Sequence, residues 1–169
     1  PTEPAPVATP ITPSQPNSPP ASARTPERKA PKISGSGTAF IIRRDGLMLT
    51  NEHVVAGCTL LSLKDGSEVT VLRSDKRRDL ALLRAPGTYA SVIRMRRDST
   101  IDLGEPVSLF GYPHFASVST SLNLTTGVVT SLVGVGDDPM HFQISAAMQP
   151  GNSGSPVVDE SGLLVGIAV

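Results

Sequence analysis

The stretch GSGTAFIIRRDGLMLTNEHVV, residues 35–55, carries the pattern from which the fold is read. Residues 36–42 form a short run ending in Phe40, Ile41 and Ile42. Arg43 to Gly46 then supply turn chemistry, and Leu47 to Thr50 form a second run. In such a turn Gly adopts a positive φ at no steric cost, and Asp bonds to its own backbone. Two short β-branched and apolar runs about a turn are the signal of a hairpin. A single helical turn is expected after it, at residues 53–56, where His53 is presented.

The same texture continues to the end of the chain. Apolar runs fall at 59–63, 68–73, 80–84, 91–95, 106–112, 122–134, 141–145, 155–159 and 163–169, bounded by Gly, Asp, Ser and Pro. No segment sustains a helical period. The spacing predicts an all-β protein with about six strands before residue 97 and about five after 105. That division implies two barrels or sheets with a cleft between them.

The first part of the chain differs. Residues 1–32 hold ten of the sixteen prolines, and their only larger apolar residues are Val7 and Ile11. Such a segment buries too little apolar surface to offset its ordering entropy, so residues 1–33 are expected to be a disordered, extended arm. A Pro-rich ligand for another domain is the alternative reading. Formal net charge is zero, which gives no global attraction to nucleic acid or to an anionic membrane. The basic runs 76–78 and 94–97 read as solvated strand ends. The single cysteine, Cys58, excludes an internal disulfide and reads as a small buried hydrophobe. No apolar run of eighteen residues is present, so no transmembrane helix is expected.

Three stretches combine into a chemical pattern. LTNEHVVAGC places His53 after a strand. SDKRRDLALL places Asp79 at the entry to one, with Asp75 as a rival carboxylate. QPGNSGSPVV places Ser153 in a Gly-rich turn. A serine hydroxyl needs an adjacent base to become a nucleophile, histidine titrates near neutrality, and a carboxylate fixes the imidazole tautomer. Glycines beside the serine let backbone N–H groups converge on a developing oxyanion. The order His, Asp, Ser is that of the chymotrypsin arrangement, whereas the G-x-S-x-G signature fails at Ser155.

The chain resembles the trypsin-like serine proteases of the HtrA type, the disulfide-free bacterial branch of the chymotrypsin clan. The likeness runs from Ser34 to Val169. It rests on GSGTAFIIRRDGLMLTNEHVV, DLALL, VSLFGYP, TTGVVTSL and FQISAAMQPGNSGSP, in that order. The resemblance implies two Greek-key β-barrels, over residues 34–98 and 99–169. It makes His53 the general base, Asp79 its orienter and Ser153 the nucleophile, with the N–H groups of Gly151 and Ser153 as oxyanion hole. Its place at the head of DLALL favours Asp79 over Asp75. The implied activity is serine endopeptidase, with polypeptide substrates and no metal or cofactor.

The segment before the nucleophile would form a wall of the specificity pocket: Ser145, Ala146, Ala147, Met148 and Gln149, following Ile144. It holds no carboxylate, so small or medium apolar side chains in flexible or unfolded polypeptide are the expected targets. His114 is a minor candidate for a substrate role, and Glu52 is expected to point away from His53. The implied location is the bacterial periplasm, the envelope or the exterior. Two other readings stand beside this one. One is a catalytically silent trypsin-like fold that binds peptides, and the other makes the Pro-rich arm the working element. The family's residues beyond Val169 complete the pocket and close the second barrel. The piece ending there is therefore expected to have an open second barrel, and to be poorly active or aggregation-prone.

Overall fold

A computed structural model describes residues 35–98, 100–113 and 121–169. The Pro-rich arm and His114 lie outside the described residues. Among the described residues, ten strands and one helical turn follow each other: β1 (Phe40–Arg43), β2 (Leu47–Thr50), α1 (Glu52–Val55), β3 (Thr70–Asp75), β4 (Leu80–Arg84), β5 (Arg94–Met95), β6 (Pro106–Gly111), β7 (Asn123–Ser131), β8 (Gln143–Ile144), β9 (Pro156–Val158) and β10 (Leu163–Ile167). The all-β expectation holds.

The strands form two sheets, ordered β1-β2-β4-β3 and β5-β10-β9-β6-β7-β8. The opening hairpin forms as read, with Phe40 opposite Leu49 and Ile41 opposite Met48. Its turn closes through the Gly46 N–H to the Arg43 carbonyl at 3.1 Å. Gly46 has φ +85°, and a Cβ there would lie 2.2 Å from the Ala85 carbonyl oxygen. Only glycine fits such a turn packed against the chain leaving β4. Asp45 ties the same corner by pairing with Arg43 at 2.6 Å and with Arg84 at 2.7 Å.

Alternation along the strands builds a core in each sheet. Met48, Val55, Ala81, Leu83 and Ala85 are buried together in the first. Val107, Leu109, Val129, Val157 and Ala168 are buried together in the second. Along β6 the burial alternates residue by residue, with Val107, Leu109 and Gly111 inward. The core of the second sheet therefore lies on that face.

Three expectations need correction. Residues 59–63 do not form a strand: the chain makes an isolated bridge from Ser62 to Glu68, and Leu60 is exposed. The KDGS turn is real, closed by the Gly66 N–H on the Leu63 carbonyl at 2.9 Å, but its ladder is too short for a named strand. Cys58 is exposed, not buried, because Gly57 at φ +69° turns the chain outward at the end of α1. The run 94–97 is not uniformly solvated. The Arg96 side chain is 15% exposed and pairs with Glu105, with Asp98 at 3.2 Å and with Asp159 at 3.6 Å. Run 76–78 is exposed as read.

The connector between the sheets belongs to both. The Ile93 N–H donates to the Ile41 carbonyl of β1 at 2.9 Å. The next two residues, β5, pair in parallel with Leu163 and Leu164 of β10.

Candidate active site

The loop after β2 and the entry to β4 build one half of the site. Asn51 is the N-cap residue of α1, yet its side chain makes no cap hydrogen bond. Its amide instead donates to the Asp79 carbonyl at 2.9 Å. The orphan N–H of the helix start is met from across the sheet: the His53 N–H donates to Asp79 Oδ1 at 2.8 Å. The other carboxylate oxygen, Oδ2, lies 2.7 Å from His53 Nδ1. One carboxylate thus caps the turn and orients the imidazole carried on it.

Asp79 has φ +50°, the left-handed region that non-glycine residues rarely occupy. Asn51, 2% exposed, holds its carbonyl there. The rival carboxylate is engaged elsewhere. Asp75 accepts the N–H groups of Arg77 and Arg78, and the Arg78 guanidinium, the main cause, holds its carboxyl below the usual range.

The other half is the loop from Gln149 to Ser155, two consecutive turns. The Asn152 N–H donates to the Gln149 carbonyl, and the Ser155 N–H to the Asn152 carbonyl, both at 2.9 Å. The third residue of each turn is a glycine of positive φ, Gly151 at +99° and Gly154 at +84°. Pro150 at the second position of the first completes a type II pattern. The N–H groups of Asn152, Gly154 and Ser155 are thereby consumed, the Gly154 N–H by the Ala168 carbonyl at 3.0 Å. Those of Gly151 and Ser153 have no backbone acceptor among the described residues.

The two halves meet at Gly37. A Cβ on that glycine would lie 2.6 Å from Val54 Cγ1 and 3.2 Å from the Ser153 carbonyl oxygen. The residue after His53 and the backbone of Ser153 therefore share one contact point. Ser155 and Asn152 are buried behind the loop, against the Cα of Gly111 where a side chain would collide with both.

The segment before the loop of residues 149–155 runs beside β7. The Ser145 N–H donates to the Val128 carbonyl at 2.9 Å, and its hydroxyl accepts the Val128 N–H at 2.9 Å. Ala146 is buried against Gly127, whereas Ala147, Met148 and Gln149 are exposed. Sequence reasoning missed three buried polar residues: Thr38, bonded to the Gly151 carbonyl, Thr50, bonded to the Thr38 carbonyl, and Asn51, bonded to the Asp79 carbonyl. The available signal was a polar residue inside or beside an apolar strand of the opening stretch.

An all-β chain that carries an Asp-bound histidine on one sheet and a glycine-flanked serine turn on the other has the chymotrypsin-type fold. It belongs to the trypsin-like peptidases: the family described as Trypsin-like peptidase domain matches residues 37–167. The chain is 40% identical over 149 residues to the uncharacterized protein y4bJ of Sinorhizobium fredii, covering 84% of this chain and 22% of that protein. It is 33% identical over 145 residues to a probable periplasmic serine endoprotease, DegP-like, of Hahella chejuensis, covering 83% and 31%. Among solved structures it resembles the HtrA-type protease AlgW with decapeptide, at a TM-score of 0.66 and 30% identity, covering 78% of this chain and 42% of that one. The resemblance to the HtrA type holds, and the chain spans less than half the length of each of these relatives.

Proposed function

We propose that this chain is the catalytic part of a serine endopeptidase in which His53, Asp79 and Ser153 act as a triad. The observation that carries the reading is the double contact of Asp79 with His53, at the ring Nδ1 and at the backbone N–H. It leaves Nε2 as the imidazole nitrogen available to a serine hydroxyl. In the reaction Ser153 Oγ attacks the peptide carbonyl while His53 Nε2 takes its proton. The negative charge then forming on the carbonyl oxygen is met by the N–H groups of Gly151 and Ser153, which have no backbone acceptor among the described residues. His53 passes the proton to the leaving amine, which departs. Water, deprotonated by His53, then attacks the acyl carbon; the ester bond to Ser153 Oγ breaks, His53 returns the proton to Oγ, and the carboxylic acid product leaves.

Residues 34–98 supply the base and its orienter in this reading, and residues 99–169 the nucleophile. The substrates are polypeptides, taken in flexible or unfolded form. The segment Ser145, Ala146, Ala147, Met148 and Gln149 carries no carboxylate, which favours small or medium apolar side chains over Lys or Arg. A periplasmic or envelope location agrees with the periplasmic relative of Hahella chejuensis.

A fluorophosphonate probe tests the reading on the full-length protein. Wild type is expected to label covalently and to hydrolyse an unfolded polypeptide, and Ser153→Ala to do neither. Equal labelling of both proteins, or none of wild type, would sink it and leave a peptide-binding fold without catalysis.

A further inference from the structure

Thr38 is buried, 4% exposed, two residues ahead of β1, and every polar group it owns is bonded. Its N–H donates to the Ser153 carbonyl at 2.8 Å. Its hydroxyl donates to the Gly151 carbonyl at 2.9 Å and accepts the Tyr112 N–H, just past β6, at 3.0 Å. Its carbonyl accepts the hydroxyl of Thr50, the last residue of β2, at 2.7 Å. A Cβ on Gly154 would stand 2.1 Å from the Thr38 carbonyl oxygen and 2.3 Å from Thr50 Oγ1. The serine loop is therefore seated directly on this residue.

We infer that Thr38 is a positioning residue that docks the oxyanion-binding loop onto the sheet carrying the base. The inference rests on the reading of Ser153 as nucleophile. The two carbonyls it holds belong to Gly151 and Ser153, whose N–H groups are the candidate oxyanion donors. A planar peptide fixes the direction of one of its polar groups once the other is held. The Asn152 carbonyl is engaged by the Ser155 N–H, so the Ser153 N–H projects out of the turn on the opposite side. The Gly151 N–H has no such guide. The Gly151 carbonyl shares a peptide plane with the Asn152 N–H, and that plane is held at both ends, within the loop by the Gln149 carbonyl and from the first sheet by the Thr38 hydroxyl, so Thr38 anchors Gly151, the residue that carries the donor N–H. The same hydroxyl receives the Tyr112 N–H, which orients its own proton toward Gly151.

Donors that act on the developing charge count in the transition state more than in the ground state. Loss of the hydroxyl is thus expected to lower kcat while leaving KM nearly unchanged. Displacement of reacting groups by about 1 Å costs on the order of 10²-fold, so the expected loss in Thr38→Val is about 10- to 100-fold. A role confined to stability would lower the melting temperature and the active fraction but leave kcat per active site intact.

The test measures kcat and KM of full-length wild type, Thr38→Val, Thr38→Ala and Thr38→Ser on one fluorogenic peptide. Active sites are titrated with a fluorophosphonate, and Ser153→Ala serves as reference. The expected result is a kcat per titrated site lowered in the Val and Ala variants, KM within about threefold, and recovery in the Ser variant. Thr38→Ala removes the same hydroxyl without adding apolar bulk, and carries the test if Thr38→Val does not fold. An unchanged kcat per site in either folded variant, with Ser153→Ala inactive, would overturn the role of Thr38 alone. A loss of kcat in Thr38→Ser, which keeps the hydroxyl, would overturn it too. Turnover by Ser153→Ala would instead strike the protease reading itself.

Discussion

At the scale of single residues, Asp79 combines three tasks. It caps α1 through the His53 N–H, it holds the His53 ring, and it accepts a positive φ to do both. A non-glycine residue in that region costs on the order of 1–3 kcal/mol, which the surrounding contacts must offset. Asparagine tolerates the same backbone but presents an amide where the carboxylate oxygens stood. Asp79→Asn is expected to keep the fold and to lower kcat by about 10³- to 10⁴-fold, through the wrong imidazole tautomer. Steady-state kinetics beside a melting curve checks both halves of that statement. A bulky aliphatic residue at 79 is expected to lose stability as well. The identity of Asp79 was legible in DLALL, but its strained backbone and the support from Asn51 were not. Those depend on a hydrogen bond between residues 28 positions apart.

At the scale of elements, the hairpins follow local chemistry closely. β2 and β4 fall on Leu47–Thr50 and Leu80–Arg84, the runs read from the sequence, because turn residues bound them on both sides. Residues 59–63 fall short of a strand because their pairing with residues 67–69 stops at a single bridge, and Leu60 stays exposed. The corner joining β1, β2 and β4 has a pH-dependent tie. The Arg43 guanidinium, and after it Arg84, hold the Asp45 carboxyl well below the usual carboxylate range. A depressed folded value stabilises the fold above the unfolded carboxyl value of about 4, and the contribution fades as pH falls from there through the folded value. Asp45→Asn is expected to lower the urea midpoint slightly at pH 7, the pair being solvent-exposed. The difference should narrow below about pH 4, as measured by urea titrations at several pH values. A constant difference down to pH 2 would count against this tie.

At the scale of the whole molecule, Arg96 links the connector to the second sheet. Its guanidinium bonds Glu105 and the Thr100 carbonyl and pairs with Asp159, while its N–H donates to the Leu164 carbonyl at 3.1 Å. Glu105 and Asp159 are mostly buried there, at 18% and 13% exposure of the side chain. Removing the cation takes the Arg96 contact from both carboxylates, leaving Glu105 the Asp102 N–H and Asp159 the Ser161 and Leu163 N–H groups. Arg96→Met is expected to cost about 1–3 kcal/mol in equilibrium unfolding, and Arg96→Lys less, since a point charge replaces the fork. An unfolding curve for Arg96→Met that matches wild type would refute this. Nothing in the run RMRR distinguished Arg96 from its neighbours. Burial singles it out, and burial comes from the passage of the connector onto β10.

The sequence by itself determined the all-β class and most strand positions, and it nominated His53, Asp79 and Ser153 as the candidate triad. These are properties of short segments: alternation, turn residues and reactive side chains set between them. The tertiary structure decided how the pieces meet. It set Thr38 against the serine loop, made a carboxylate on β4's approach serve as cap for a helix formed after β2, and shared the connector between sheets. It also turned Cys58 outward. The first three of these are contacts between residues far apart in the chain. Such contacts depend on how strands stack and where carbonyls find donors, which periodicity and composition along a single segment do not encode.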